Sequence, residues 1–202
     1  MADPRPCLHF WFEFASTYSY LSAMRIARLA QHKGIRLRWR PFLLGPIFAD
    51  QGLSDSPFNI FPAKGRYMWR DLERRAALQG LAPIHRPESF PQNGLLAARV
   101  ATIGADQDWG PEFVRGVYSA QFAGGKDISD PTVLAEILQG IGQPVALLEQ
   151  AREDPNIKDQ LRQTTDQARS LGLFGAPSFT TPDDELFWGD DRLEDALDWA
   201  VR

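Results

Sequence analysis

An alternation of period two opens the chain. Leu8, Phe10, Phe12 and Phe14 fall on one strand face and Cys7, His9, Trp11 and Glu13 on the other, which predicts a strand covered on both sides. Ala15-Ser16-Thr17 breaks the pattern, and Tyr20, Leu21, Met24, Ile26, Ala27 and Leu29 then recur at helical spacing through Gln31. Gly34 ends that helix. Residues 35–41 alternate again, Ile35, Leu37 and Trp39 against Arg36, Arg38 and Arg40, as suits a sheet edge with one wet face. The right-handed crossover rule makes the two strands parallel neighbours.

From Leu43 the texture becomes turn-rich, with Gly45-Pro46, Gly52, Ser54, Ser56-Pro57 and Pro62 close together. Loops of this length in a compact domain are often functional. An amphipathic helix follows over 63–78, and residues 85–92 form a second irregular link between prolines. Apolar spacing of three and four predicts helices over 94–103 and 111–122. Asp130-Pro131 and Asp154-Pro155 pair an N-cap with proline at the first helical position, opening helices to Leu138 and to about Leu171; Gln143-Pro144 opens a short one between them. Residues 172–177 halt the last of these. Residues 178–181 and 185–188 then make a hairpin, and a final helix covers 192–201, with Asp191 and Glu194 at capping-box spacing. The order is β-α-β, a helical block over 45–165, then α-β-β-α.

At 202 residues the chain suits one domain, or one domain carrying a large insertion. A net charge of -4 and a pI near 5.4 argue against nucleic acid as a partner. No apolar run is long enough to span a bilayer and the N-terminus lacks a signal-peptide pattern, so no membrane association and a cytoplasmic location are expected. The single cysteine, Cys7, excludes an internal disulfide and a CxxC pair, and its place in the first strand reads as a small buried apolar residue. His9, His32 and His85 have no ligand spacing, so no metal site is expected.

The turn at 15–17 is the first candidate for chemistry. Ser16 or Thr17 can simply cap the helix. The same turn can present a hydroxyl and free N–H groups to an anion, because the first N–H groups of a helix lack internal partners and its dipole favours negative charge. Arg36, Arg38 and Arg40 read as a solvated edge or as an anion patch, and Asn59 and Lys64 as a polar loop and helix start or as ligand contacts.

A β-α-β unit followed by β-β-α, with helices inserted between, resembles the DsbA-like branch of the thioredoxin fold. The strings EFASTYSYLSA, FGAPSF at 174–179 and LFWGDDRL at 186–193 resemble the 2-hydroxychromene-2-carboxylate isomerases and the related kappa-class glutathione transferases. The stretches SPFNIFPAKGRYMWRDLERR and DISDPTVLAEIL extend the likeness over nearly the whole chain. The resemblance implies an α/β, thioredoxin-like fold with a large α-helical insertion: a discontinuous thioredoxin-like domain over 1–44 and 166–202, and an insertion domain over 45–165. It also implies glutathione as cofactor, a small aromatic substrate and a homodimer. By position, Ser16 matches the catalytic serine whose hydroxyl bonds the glutathione sulfur, and Asn59 and Lys64 match residues contacting the tripeptide. Ala176, ahead of an expected cis Pro177, would pair through its backbone with the cysteinyl unit like an added strand. Asp191 and Arg192, with Asp190 beside them, match the residues that hold the γ-glutamyl end. Thr17 departs from the family, where many relatives carry proline, and loses that ring's preset φ.

Elementary energetics suit these roles. A free thiol of pKa about 8.5 is only a few per cent thiolate at neutral pH, and lowering it two units takes roughly 2.7 kcal/mol. A hydroxyl donor contributes about 1.5–3 kcal/mol to a charged acceptor and a helix N-terminus up to about 2. Ser16 is thus expected to act as a donor, not as a nucleophile. The expected function is glutathione-dependent cis-trans isomerisation by thiolate addition, bond rotation and elimination, in aromatic degradation. A kappa-type transferase and a non-catalytic thioredoxin-fold binding module are the alternatives. Phe42, Phe48, Phe58, Phe61, Trp69 and Tyr118 are candidates for an aromatic pocket or for plain core.

Overall fold

A computed structural model describes residues 5–202. Strand β1, Cys7–Phe12, lies inside a four-stranded sheet of order β2-β1-β3-β4, with β2 at Arg36–Pro41, β3 at Ser178–Thr180 and β4 at Leu186–Trp188. β1 and β2 are parallel, with Phe10 opposite Trp39; β3 runs antiparallel to β1, with Phe179 opposite Phe10, and β4 antiparallel to β3. The parallel pair and the terminal hairpin are as the alternation predicts, and β2 is an edge strand. β1 ends at Phe12, two residues earlier than expected, because Ser16 N–H already bonds back to the Glu13 carbonyl at 2.9 Å as the chain turns.

The two faces of β1 feed separate apolar clusters. Leu8, Phe10 and Phe12 join Phe14, Trp39, Tyr118, Phe122 and Phe179 in the main core. Trp11, on the opposite face, packs with Phe42, Leu44, Ile47, Ala168 and Leu173, while its indole N–H donates to Thr180 Oγ1 at 2.9 Å. Each large side chain fully buried contributes about 1.5–3 kcal/mol. Cys7 is buried, as its strand position implies.

The first predicted helix is two: α1, Thr17–Ala23, and α2, Ile26–His32. The break at Arg25 turns its guanidinium toward Asp190 and Glu194, a long-range pull that local periodicity does not contain. The helical block follows: α3 Leu44–Asp50, α4 Pro57–Ile60, α5 Pro62–Leu78, α6 Leu95–Gly104, α7 Gly110–Tyr118, α8 Pro131–Gly140, α9 Leu147–Glu153 and α10 Pro155–Ser170. α7 passes into a π turn at Ser119–Ala123. Asp130 and Asp154 cap α8 and α10, accepting from the N–H groups of Thr132 and Asn156 at 2.8 Å each.

The final helix differs from its expected start. A 3-10 turn over Asp190–Arg192 precedes α11, Leu193–Ala200, whose N-cap is Arg192 without a side-chain cap bond. The Asp191–Glu194 capping box therefore does not form, because Asp191 is inside the preceding turn. Gly189, at φ 108°, makes the entry to that turn in a backbone region where an L side chain is strained.

Candidate active site

The C-terminal end of β1 opens into a cleft of about 1180 Å³ between the thioredoxin-like half and the helical block. Its lining comes from the β1–α1 turn, the 43–58 segment that carries α3 and the start of α4, α5, the 90–95 link, the 174–177 turn and the 188–192 turn. Ser16 is part of that lining. Ser16 is the N-cap of α1, accepting from Ser19 N–H at 3.1 Å, and its hydroxyl donates to the Ala176 carbonyl at 2.8 Å. The cap and the cleft-facing hydroxyl, alternatives in the sequence, are one geometry.

Ala176-Pro177 is a cis peptide, as is Phe90-Pro91, which also lines the cleft. The Pro177 carbonyl accepts from Gly189 N–H at 3.0 Å, which ties the 174–177 turn to the 188–192 turn. Among the described residues the Ala176 N–H has no hydrogen-bond partner. A backbone donor and an acceptor thus border the cleft beside Ser16, the arrangement that an extended peptide backbone pairs with.

The remaining sequence candidates divide by position. Lys64 lines the cleft, its ammonium over the Phe61 ring at 4.7 Å and free of carboxylate partners among the described residues. Asp191 and Arg192 also line the cleft, both more than half exposed, with Arg192 reaching Asp195 at 3.3 Å. Asp190 is different. Its carboxylate is 1% exposed and filled from inside by Ser22 Oγ at 2.8 Å, Arg25 at 3.0 Å and Arg75 at 2.7 Å. It braces the turn that carries its two neighbours. Asn59 does not line the cleft: its amide donates to Asp55 at 3.0 Å and to the Phe90 carbonyl at 2.9 Å.

Of the aromatic candidates, Phe48 and Phe58 line the cleft. Phe42 and Tyr118 are fully buried core, Trp69 packs against Phe90 at 5.0 Å, and Phe61 is half exposed beneath Lys64. Sequence reading missed Phe174 and Trp188, which are about half exposed and meet at 4.8 Å to form one aromatic wall. Their signal was present in FGAPSF and LFWGDD. Gly175 is what lets Trp188 lie so close, since a Cβ there would be 2.4 Å from the indole nitrogen.

Two further ionisable groups of the cleft were also missed. Tyr18 donates to Asp71 at 3.0 Å, and burial, reinforced by that bond, raises its hydroxyl so that it stays protonated. Glu13 turns its carboxyl into the cleft three residues ahead of Ser16, where Oε2 accepts from Ala15 N–H at 3.0 Å. Burial raises its pKa to about 7, against the smaller opposing effect of that bond. In the alternation Glu13 reads only as one more residue on a strand face.

The sheet order, the cis proline opposite the β1–α1 turn and the helical block define a thioredoxin-fold protein of DsbA-like build, with serine at the head of α1. The chain belongs to the DSBA-like thioredoxin domain family, which matches residues 7–198. It is 30% identical over 188 residues to 2-hydroxychromene-2-carboxylate isomerase of Sphingobium xenophagum, covering 93% of this chain and 94% of that one. It is equally 30% identical over 200 residues to glutathione S-transferase kappa 1 of Homo sapiens, at 91% and 86% coverage. A solved 2-hydroxychromene-2-carboxylate isomerase superposes with a TM-score of 0.85 at 24% identity, over 97% of this chain and 96% of that one, a likeness of fold.

Proposed function

We propose that this chain is a glutathione-dependent cis-trans isomerase of the 2-hydroxychromene-2-carboxylate isomerase type, acting on a small aromatic substrate with a pyruvate-like side chain. The carrying observation is the Ser16 hydroxyl at the head of α1 beside the partnerless Ala176 N–H. These residues fit glutathione. The tripeptide has two carboxylates and an ammonium, and the cleft lining offers Lys64 and Arg192 for the former and Asp191 for the latter. Bound glutathione would supply a thiolate that adds to an activated double bond, permits rotation about it and departs unchanged.

The chain's own residues do the rest. Ser16 releases the Ala176 carbonyl and donates to the sulfur, while the start of α1 adds its dipole. Ala176 gives its N–H and the freed carbonyl to the cysteinyl backbone. Phe174 and Trp188, their rings tilted 59° to each other, offer an angled apolar wall to an aromatic ring. Asp190 fixes the turn beneath Asp191 and Arg192. The same reading carries a cytoplasmic homodimer working in aromatic degradation, with thioredoxin-like segments 1–44 and 166–202 around an insertion at 45–165.

Calorimetry of reduced glutathione on wild type and Ser16→Ala tests it, with the thiolate absorbance followed against pH. Wild type is expected to bind, with the bound thiol titrating about two units below its free value; Ser16→Ala should lose most of that shift and about 1 kcal/mol of helix-cap stability. Absence of binding to wild type would leave only a thioredoxin-fold binding module. The equal identity to a kappa transferase supports a second reading, conjugation of electrophiles by the same thiolate. Counting free thiol after turnover separates the two: an isomerase returns it in full, a transferase depletes it stoichiometrically.

A further inference from the structure

The cleft holds one acid that the Ser16–Ala176 arrangement leaves without a task. Glu13 sits where β1 ends, and its backbone carbonyl is held twice, by Ser16 N–H and by the Tyr118 hydroxyl, at 2.9 Å each. Tyr118 is fully buried on α7, so this end of β1 is fixed against the core. One carboxyl oxygen takes Ala15 N–H, within one peptide of Ser16. The other faces Gly94, the residue before α6, where an added Cβ would be 3.6 Å from Oε1.

No cation is paired with this carboxyl among the described residues. Around it, Tyr118 on α7 is the ionisable group that senses its charge. On α1 Tyr18 is bonded to Asp71 of α5, and on α5 Arg75 is bonded to Asp190. Lys64 stands over Phe61, Arg192 reaches Asp195, and Asp55 accepts from Asn59. The 90–95 link, which faces Oε1, contributes no charged side chain. A carboxyl held this firmly, open to the cleft and uncompensated, is built to exchange a proton with a ligand.

We propose that Glu13 is the proton acceptor for the thiol bound at Ser16, a role that rests on the glutathione reading above. In this step the S–H bond breaks, its electron pair stays on sulfur, and the proton passes to a Glu13 carboxylate oxygen, leaving a neutral carboxylic acid. The charge of the pair is unchanged: one anion, moved from oxygen to sulfur. The Ser16 hydroxyl then donates to the sulfur, and Glu13 returns the proton when the thiol leaves. The two residues divide the work, Ser16 stabilising the anion and Glu13 holding the proton. Glu13 suits this because burial brings its pKa close to that of a thiol lowered by Ser16, so the transfer is nearly balanced in free energy. An ordinary carboxylate would be a far weaker base toward a thiol.

The test is proton bookkeeping during glutathione binding, by calorimetry at about pH 8 in buffers of different ionisation enthalpy, where Glu13 is ionised in the free protein. Wild type, Glu13→Gln, Glu13→Asp and Ser16→Ala are compared, with thermal melts to confirm folding. The amide oxygen of Gln still accepts from Ala15 N–H. Thiolate formation in wild type should release about one proton fewer to the buffer than in Glu13→Gln, with Glu13→Asp restoring part of the capture. Equal proton release in wild type and Glu13→Gln, with the thiolate absorbance present in both, overturns the proposal while leaving the glutathione reading intact. If wild type and Ser16→Ala are alike in binding no glutathione, both fall together.

Discussion

At the scale of single residues, Asp190 and Asp191 show how neighbours in sequence take opposite parts. Asp190 closes a buried network with Ser22, Arg25 and Arg75, while Asp191 lies more than half exposed at the cleft. Removing one partner of a buried pair leaves the others uncompensated, at about 3–5 kcal/mol; Arg75 is one-third exposed, so water relieves part of this. Asp190→Ala is expected to cost about 3 kcal/mol in urea unfolding, and Asp191→Ala less than about 0.5 kcal/mol while weakening glutathione binding. A loss under about 1 kcal/mol in Asp190→Ala would place the network with surface ion pairs instead. The string GDD could not separate the two aspartates, because what distinguishes them is Arg25 and Arg75, distant in sequence. Ser16 was legible because its capping role is local. Glu13 was not, because its character comes from burial by other elements.

At the scale of elements, what is periodic was readable and what is set by neighbours was not. The strands, the parallel pair, the hairpin and the Asp-Pro helix starts follow from alternation and capping chemistry. The break at Arg25 and the 3-10 turn at Asp190–Arg192 answer to contacts between the two ends of the chain. The crossing of α4 and α5, which only Phe61 separates, is by contrast a local contact, and Gly65 makes it possible. A Cβ on Gly65 would lie 2.3 Å from the Phe58 carbonyl oxygen, so alanine there must push α4 off α5. Phe58 lines the cleft and Lys64 adjoins Gly65, which couples this crossing to the site. Gly65→Ala is expected to destabilise by about 1–3 kcal/mol despite alanine's better helix propensity, and to weaken glutathione binding. A melting temperature equal to or above that of wild type would show that α4 yields without strain.

At the scale of the whole molecule, two partly buried ionisable groups, His9 within β1 and Glu13 just past its end, set opposing pH dependences. His9 has its pKa lowered from 6.5 to about 4 by burial, with Arg40, Arg38 and Arg36 adding repulsion and Asp184 opposing; Arg40 Nε donates to its Nδ1 at 3.1 Å. Glu13 has its pKa raised from 4.5 to about 7. Between these ordinary values of 4.5 and 6.5 the unfolded chain carries a proton on His9 that the folded one lacks, so stability rises with pH from this group. Over the same window the folded chain carries a proton on Glu13 that the unfolded one lacks, so stability falls. Each slope approaches about 1 kcal/mol per pH unit after allowing for partial exposure, and the two nearly cancel. Wild type should therefore show a flat urea midpoint from pH 4.5 to 6.5, then a decline through 7 as Glu13 ionises in the fold. Glu13→Gln should remove the falling component and give a midpoint that climbs across the window. His9→Gln should do the reverse, leaving a midpoint that drops steadily toward pH 7. Parallel profiles for all three proteins would mean that neither group titrates in this range. A flat wild type with two oppositely tilted variants would show that the proton held at the cleft is balanced, for the stability of the fold, by one refused at His9 within the adjoining strand.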